Sequence, residues 1–207
     1  MENHPFIPYI PMLSTLFCVY FLSVIYPHWR AKPQALYLMW WTLGVFCYGL
    51  GTLVESLHTL YGWSPFLFKS WYIAGAFLGG VPLAQGTVYL LMPRATAHKM
   101  SAVLLVVLIV SSILVIASPL DEGRVSHQLS GDVLEWTFIR AITPFVNIYA
   151  FIFLVGGAFY SAARYFKTPE FRGRFWGNGL IAVGGLLPGI GGTMAKFGQT
   201  YVLYITE

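Results

Sequence analysis

Charge is what this chain has least of. Of its 207 residues only 10% are Asp, Glu, Lys or Arg, while 57% are hydrophobic. A soluble domain averages roughly 25% charged and 45–50% apolar residues, so an ordinary soluble fold is excluded. A disordered chain, which combines low hydrophobicity with high charge, is excluded on the same ground. Cysteine is scarce too: Cys18 and Cys47 are the only two, each midway along an apolar run. That excludes a disulfide-stapled module, and without a Cys-x-x-Cys pair there is no zinc or thiol-redox motif. Both thiols read as small buried hydrophobes. Eight acidic residues stand against twelve Lys and Arg, a net charge of +4. The basic residues sit in short connections between apolar runs, where they orient a membrane protein and face anionic headgroups, so no nucleic-acid partner is expected.

What the sequence has in quantity is apolar length. About 20 such residues cross the roughly 30 Å of bilayer hydrocarbon, and suitable runs recur at about 6–26, 35–60, 66–92, 102–117, 136–163 and 175–195. They are too long and continuous for transmembrane strands, which alternate over about ten residues. The predicted fold class is therefore all-α, a polytopic transmembrane helix bundle forming one domain over 1–207. It has six spans, and the apolar segment 201–207 opens a seventh. The first span is predicted to stop at Pro27-His28-Trp29-Arg30. Met1 to Pro5 carries Glu2 and no Lys or Arg, unlike a cleavable signal peptide, so the first span is expected to be retained.

Counting Lys and Arg by connection gives the orientation. Arg30, Lys32, Arg94, Lys99, Arg164, Lys167, Arg172 and Arg174 fall on one side, against Lys69, Arg124, Arg140 and Lys196 on the other. The positive-inside rule then puts the N-terminus outside and the 28–34, 93–100 and 164–174 connections in the cytoplasm. The expected location is the plasma membrane, the inner membrane of a bacterium. The longest connection, 119–135, is then outside and net acidic, and reads as a wet surface loop. Its His127 sits among carboxylates with no fixed metal-ligand spacing.

Few residues could carry chemistry. Glu55 and His58 form Glu-x-x-His, three residues apart on one helix face. One such motif with no further intramembrane carboxylate cannot supply a di-iron centre. Orientation places both in the outer part of the bilayer, with Arg140 at similar depth and Lys196 at the outer end of the sixth span. The candidate ligand or ion-pair site is thus a polar pocket in which Glu55 pairs with Arg140 while His58 and Lys196 line the rim. The competing reading is a structural ion pair with side chains snorkelling to water. Gln85, Asn147 and Asn178 read as interhelical hydrogen-bonding groups. Gly75, Gly79, Gly185 and Gly189 are candidate helix-packing positions, and Pro82, Pro144 and Pro188 predict kinks. Trp29, Trp40, Trp41, Trp63, Trp71 and Trp136 read as an aromatic belt. No catalytic constellation and no metal site are identified, and the sequence names no cofactor. The histidines are poorly placed for a bis-histidine haem. The Ala195-Lys196-Phe197-Gly198 string is similar to the lysine-bearing last helix of microbial rhodopsins, but Lys196 closes a helix at the surface and no Asp lies a turn before it.

With its N-out layout and the texture of Trp40-Trp41 through Gly51 and Trp71 through Tyr89, the chain resembles the seven-helix membrane input modules found ahead of bacterial histidine kinases. The resemblance covers most of the chain and implies a receptor-like bundle. The expected function is non-enzymatic: an accessory subunit of a membrane complex or a receptor-like module, with lipid and other membrane chains or a second copy as partners. The alternative is a small-solute transporter or channel using Glu55, His58 and Arg140.

Overall fold

The computed structural model describes residues 9–125, 129–166, 169–196, 202 and 206. The described residues are helical with no named strand. α1 covers Ile10–Ala31, α2 Leu36–Tyr61, α3 Pro65–Trp71, α4 Val81–Leu91, α5 Arg94–Ala117, α6 Thr137–Ala150, α7 Gly157–Tyr165 and α8 Arg172–Lys196. A π-helical segment, Tyr72–Phe77, joins α3 to the break before α4, and a second, Phe151–Gly156, runs between α6 and α7. Five stretches are long and apolar enough to cross a membrane: Ile10–Ala31, Leu36–Tyr61, Pro65–Leu91, Arg94–Ala117 and Thr137–Tyr165.

Proline and glycine set most of the boundaries. Gly62, at φ 83°, ends α2 in a conformation that disfavours residues with a Cβ. Ser64 then caps α3, its hydroxyl accepting from the Leu67 N–H at 3.2 Å, with Pro65 in the first turn. The third stretch is interrupted because Pro82 has no N–H to return to Leu78. The chain loosens instead into a π-turn, Leu78 N–H to Ile73 carbonyl at 3.0 Å, before α4 begins. Pro144 and Pro188, by contrast, lie inside helices that continue past them.

Three expected boundaries change. α1 does not stop at Pro27 but runs through it to Ala31. α5 starts at Arg94 rather than 102, because polar first turns extend the helix beyond the apolar run. The sixth expected span falls on α8, a 25-residue helix diluted by eight glycines, Asn178 and Pro188, and it is not among the five. The expected seventh lies outside the described residues apart from Val202 and Thr206.

α2, α3 and α4 hold the centre, whereas α1 is outermost, with Leu16, Phe17, Val19 and Tyr20 exposed. Short connections make sequential helices antiparallel neighbours. The central contact is close because glycines face side chains and backbone. A Cβ on Gly44 would stand 2.6 Å from Leu83 Cγ and 2.8 Å from its backbone nitrogen, and one on Gly51 3.0 Å from Gly75 Cα. Removing methylenes at the seam lets two backbones approach, which is what drives association where water exclusion is absent.

The 118–136 connection corrects the wet-loop reading. Leu120 and Leu134 form an antiparallel bridge, and the Asp121 N–H reaches the Val133 carbonyl at 2.9 Å. Leu129, Val133 and Leu134 are buried with Phe68, Tyr72, Val115 and Ile139. The loop is a plug that closes one end of the bundle with its apolar residues, leaving its charges outside. His127 lies outside the described residues.

Gly44→Ala is expected to lower stability by about 1–3 kcal/mol through overpacking. Gly177→Ala, which meets nothing within 4 Å, is expected to be neutral or slightly stabilising. Denaturation of the two variants in the same detergent checks this, with equal midpoints contradicting the seam.

Candidate functional site

Glu55 and His58 lie in the last two turns of α2 and are both buried, Glu55 only 2% exposed. The close approach of α2 to the π-segment at Gly51 and Gly75 brings Trp71, the last residue of α3, alongside. Its indole Nε1–H donates to Glu55 Oε1 at 2.7 Å. The Thr59 hydroxyl bonds the Glu55 backbone carbonyl at 3.1 Å. Trp71 thus serves the interior rather than a surface belt. Its role is chemical: an indole N–H is a donor only, and a buried acceptor deprived of its donor costs about 1–3 kcal/mol.

The other expected members of the pocket are placed differently. Arg140 pairs with Asp132, a residue of the plug, and both side chains are substantially exposed. The expected Glu55–Arg140 pair is not formed. Arg140 leaves the bundle because Asp132 offers a hydrated partner one short loop away, which costs less than burying a guanidinium. Lys196 ends α8, and its side chain lies outside the described residues. Lys69, counted with the same side, donates to the Ile116 carbonyl at 2.7 Å and ties α3 to the end of α5.

A second polar group lies toward the opposite end, and the sequence showed only one of its members. Gln85, fully buried, donates through Nε2 to the Ala97 carbonyl at 3.1 Å and to Ser101 Oγ at 2.7 Å. The Tyr149 hydroxyl donates to Gln85 Oε1. Ser101 Oγ donates to the Tyr89 hydroxyl at 3.0 Å, and that hydroxyl shares a hydrogen bond with His98 Nδ1 at 2.8 Å. One amide therefore links α4, α5 and α6, as expected of an interhelical polar residue. The signal for its partners was helical spacing: Gln85 and Tyr89 are four apart, His98 and Ser101 three. Asn178 bonds only Arg174 on its own helix, at 2.7 Å. Asn147 is exposed. Trp40 is buried and stacks on Tyr89 at 6.4 Å, and Trp41 donates to the Leu83 carbonyl at 3.2 Å. Trp40 leaves the expected belt by packing on Tyr89 inside the bundle, and Trp41 fills the space beside Gly86.

Of the packing glycines, Gly75 meets Gly51, and a Cβ on Gly185 would stand 3.0 Å from Val155 Cγ2 in the second π-segment. A Cβ on Gly79 would collide with the Gly75 carbonyl at 2.6 Å, and one on Gly189 would meet nothing within 4 Å. Among the described residues no three His, Cys, Asp or Glu converge as metal ligands. Comparison with known proteins finds no matching family model, curated relative or solved structure.

Trp71→Phe keeps the ring packing but removes the donor to Glu55, and is expected to cost about 1–3 kcal/mol. Arg140→Gln removes an exposed pair and is expected to cost less than about 1 kcal/mol. Chemical denaturation of both variants checks the order, which reverses if Arg140 is the true partner of the buried carboxylate.

Proposed function

We propose that this chain is a non-enzymatic, multi-pass membrane protein of receptor-like kind, whose responsive centre is the buried group Glu55, His58 and Trp71. The observation that carries this reading is the carboxylate held inside an apolar bundle by an indole at the mouth of a π-helix. An ionisable residue in a membrane span is expensive and is by default functional. π-turns inside helices are found mostly at functional sites. A histidine three residues from the carboxylate is the side chain whose charge changes nearest neutral pH. The ligand is then a proton or a small polar molecule reaching the end of α2. The resemblance to membrane input modules supports the same reading.

The topology belongs to this proposal. We count α8 as a sixth span, since 25 residues at 1.5 Å each reach about 37 Å. The N-terminus is outside and the Arg/Lys-rich connections are in the cytoplasm of a bacterial inner membrane.

A second reading, an accessory subunit that packs against another membrane chain, is favoured by the outer face of α8. There a Cβ on Gly177 or Gly184 would meet nothing within 4 Å, between exposed Leu180, Ile181 and Leu187. A transporter would use the first site, and its signature is solute flux.

Histidine-labelled protein in lipid nanodiscs, titrated by NMR between about pH 5 and 8, tests the first reading. A pH-dependent spectral change that Glu55→Gln alters is expected, and its absence overturns proton sensing. Glu55→Gln protein that inserts but loses flux in proteoliposomes would make it a transporter. A stoichiometric second chain on gentle extraction, lost in Gly184→Leu, would make it a subunit.

A further inference from the structure

At the end of the bundle away from Glu55, the connection between α1 and α2 meets the corner between α4 and α5. They border an open cleft of about 290 Å³ whose lining includes Gln34, Leu36, Tyr37, Tyr89 and Arg94. We propose that this cleft binds a phosphate group, with the Arg94 guanidinium, the Gln34 amide and the Tyr37 hydroxyl as its donors.

The first argument is proximity. Arg94, Gln34 and Tyr37 line one cleft, Gln34 and Arg94 on its exposed rim and Tyr37 half-buried. A guanidinium offers a planar fork suited to two phosphate oxygens, and an amide and a phenol add neutral donors.

The second argument is rigidity, because the walls are held from behind. The Tyr89 ring is fixed by hydrogen bonds to Ser101 and His98 and by its stack on Trp40. The Tyr37 ring sits edge-on to Trp41 at 5.3 Å, and Trp41 is itself anchored on Leu83. The Tyr37 donor, set on such a frame, loses little freedom on binding, whereas Arg94 and Gln34 reach the cleft from its exposed rim.

Charge is the third argument. Segments 27–35 and 92–101 hold Arg30, Lys32, Arg94 and Lys99 and no Asp or Glu at all. No internal carboxylate in those segments competes for the cleft. The phosphate can come from an anionic lipid headgroup, for which basic pockets at helix ends are suited, or from a soluble ion.

The test uses the whole protein in dodecyl maltoside, a surfactant without phosphate, titrated separately with short-chain phosphatidylglycerol and with inorganic phosphate. Melting temperature is the readout. A saturable rise is expected with at least one probe, and which probe produces it identifies the source. Arg94→Gln is expected to weaken the response about tenfold or more, and Tyr37→Phe to weaken it less. Arg30→Gln and Lys99→Gln, which remove equal charge outside the cleft, are expected to leave it unchanged. No rise with either probe overturns the proposal. So does a rise that all three charge variants reduce equally, since that is diffuse surface attraction.

Discussion

Close backbone approach between α2 and the α3–α4 segment is the constraint on which the rest of the structure depends. In hydrocarbon, helices gain nothing by hiding apolar side chains from one another, so association must come from tight packing and from hydrogen bonds between helices. Gly44 and Gly51 supply the first. They let Leu83 and the π-segment come within backbone contact, and the polar links follow from that distance. Trp71 reaches Glu55, and Trp41 reaches Leu83, only because no side chain holds the helices apart.

The break between α3 and α4 has the same origin. A continuous helix through Pro82 would leave a carbonyl without its donor, which a bilayer does not forgive unless the protein encloses it. Here the interruption is buried in the centre of the bundle, where Phe77, Val81 and Ala84 are wholly covered. The plug formed by 118–136 closes the end nearest α3 and carries Asp132, which holds Arg140 at the surface. The break before α4 therefore lies in a protected place, whereas the second π-segment keeps only Val155 buried and leaves Phe151 and Ile152 exposed.

Two polar centres sit in this frame and differ in kind. Around Gln85 each donor and acceptor meets a neighbour on another helix, a network that fixes register. Around Glu55 a carboxyl group accepts from an indole beside a histidine, an arrangement whose energy depends on charge state. The first is explained by packing. The second is costly enough to need a use, which is why function is sought there and not at Gln85.

Sequence alone settled the helical, membrane-suited character, since the length and continuity of uncharged apolar runs do not depend on distant contacts. It also singled out Glu55 and His58, because a carboxylate within an apolar run is conspicuous wherever it folds. It misassigned Arg140, Trp40, Trp71 and the 118–136 loop for one shared reason. Whether a tryptophan lies in a belt or a core, and which carboxylate an arginine meets, depends on residues 8 to 64 positions away along the chain. Only the packed bundle brings Trp71 to Glu55, Tyr149 to Gln85 and Asp132 to Arg140. Local pattern reports how much apolar surface a segment has, and tertiary packing decides what that surface faces.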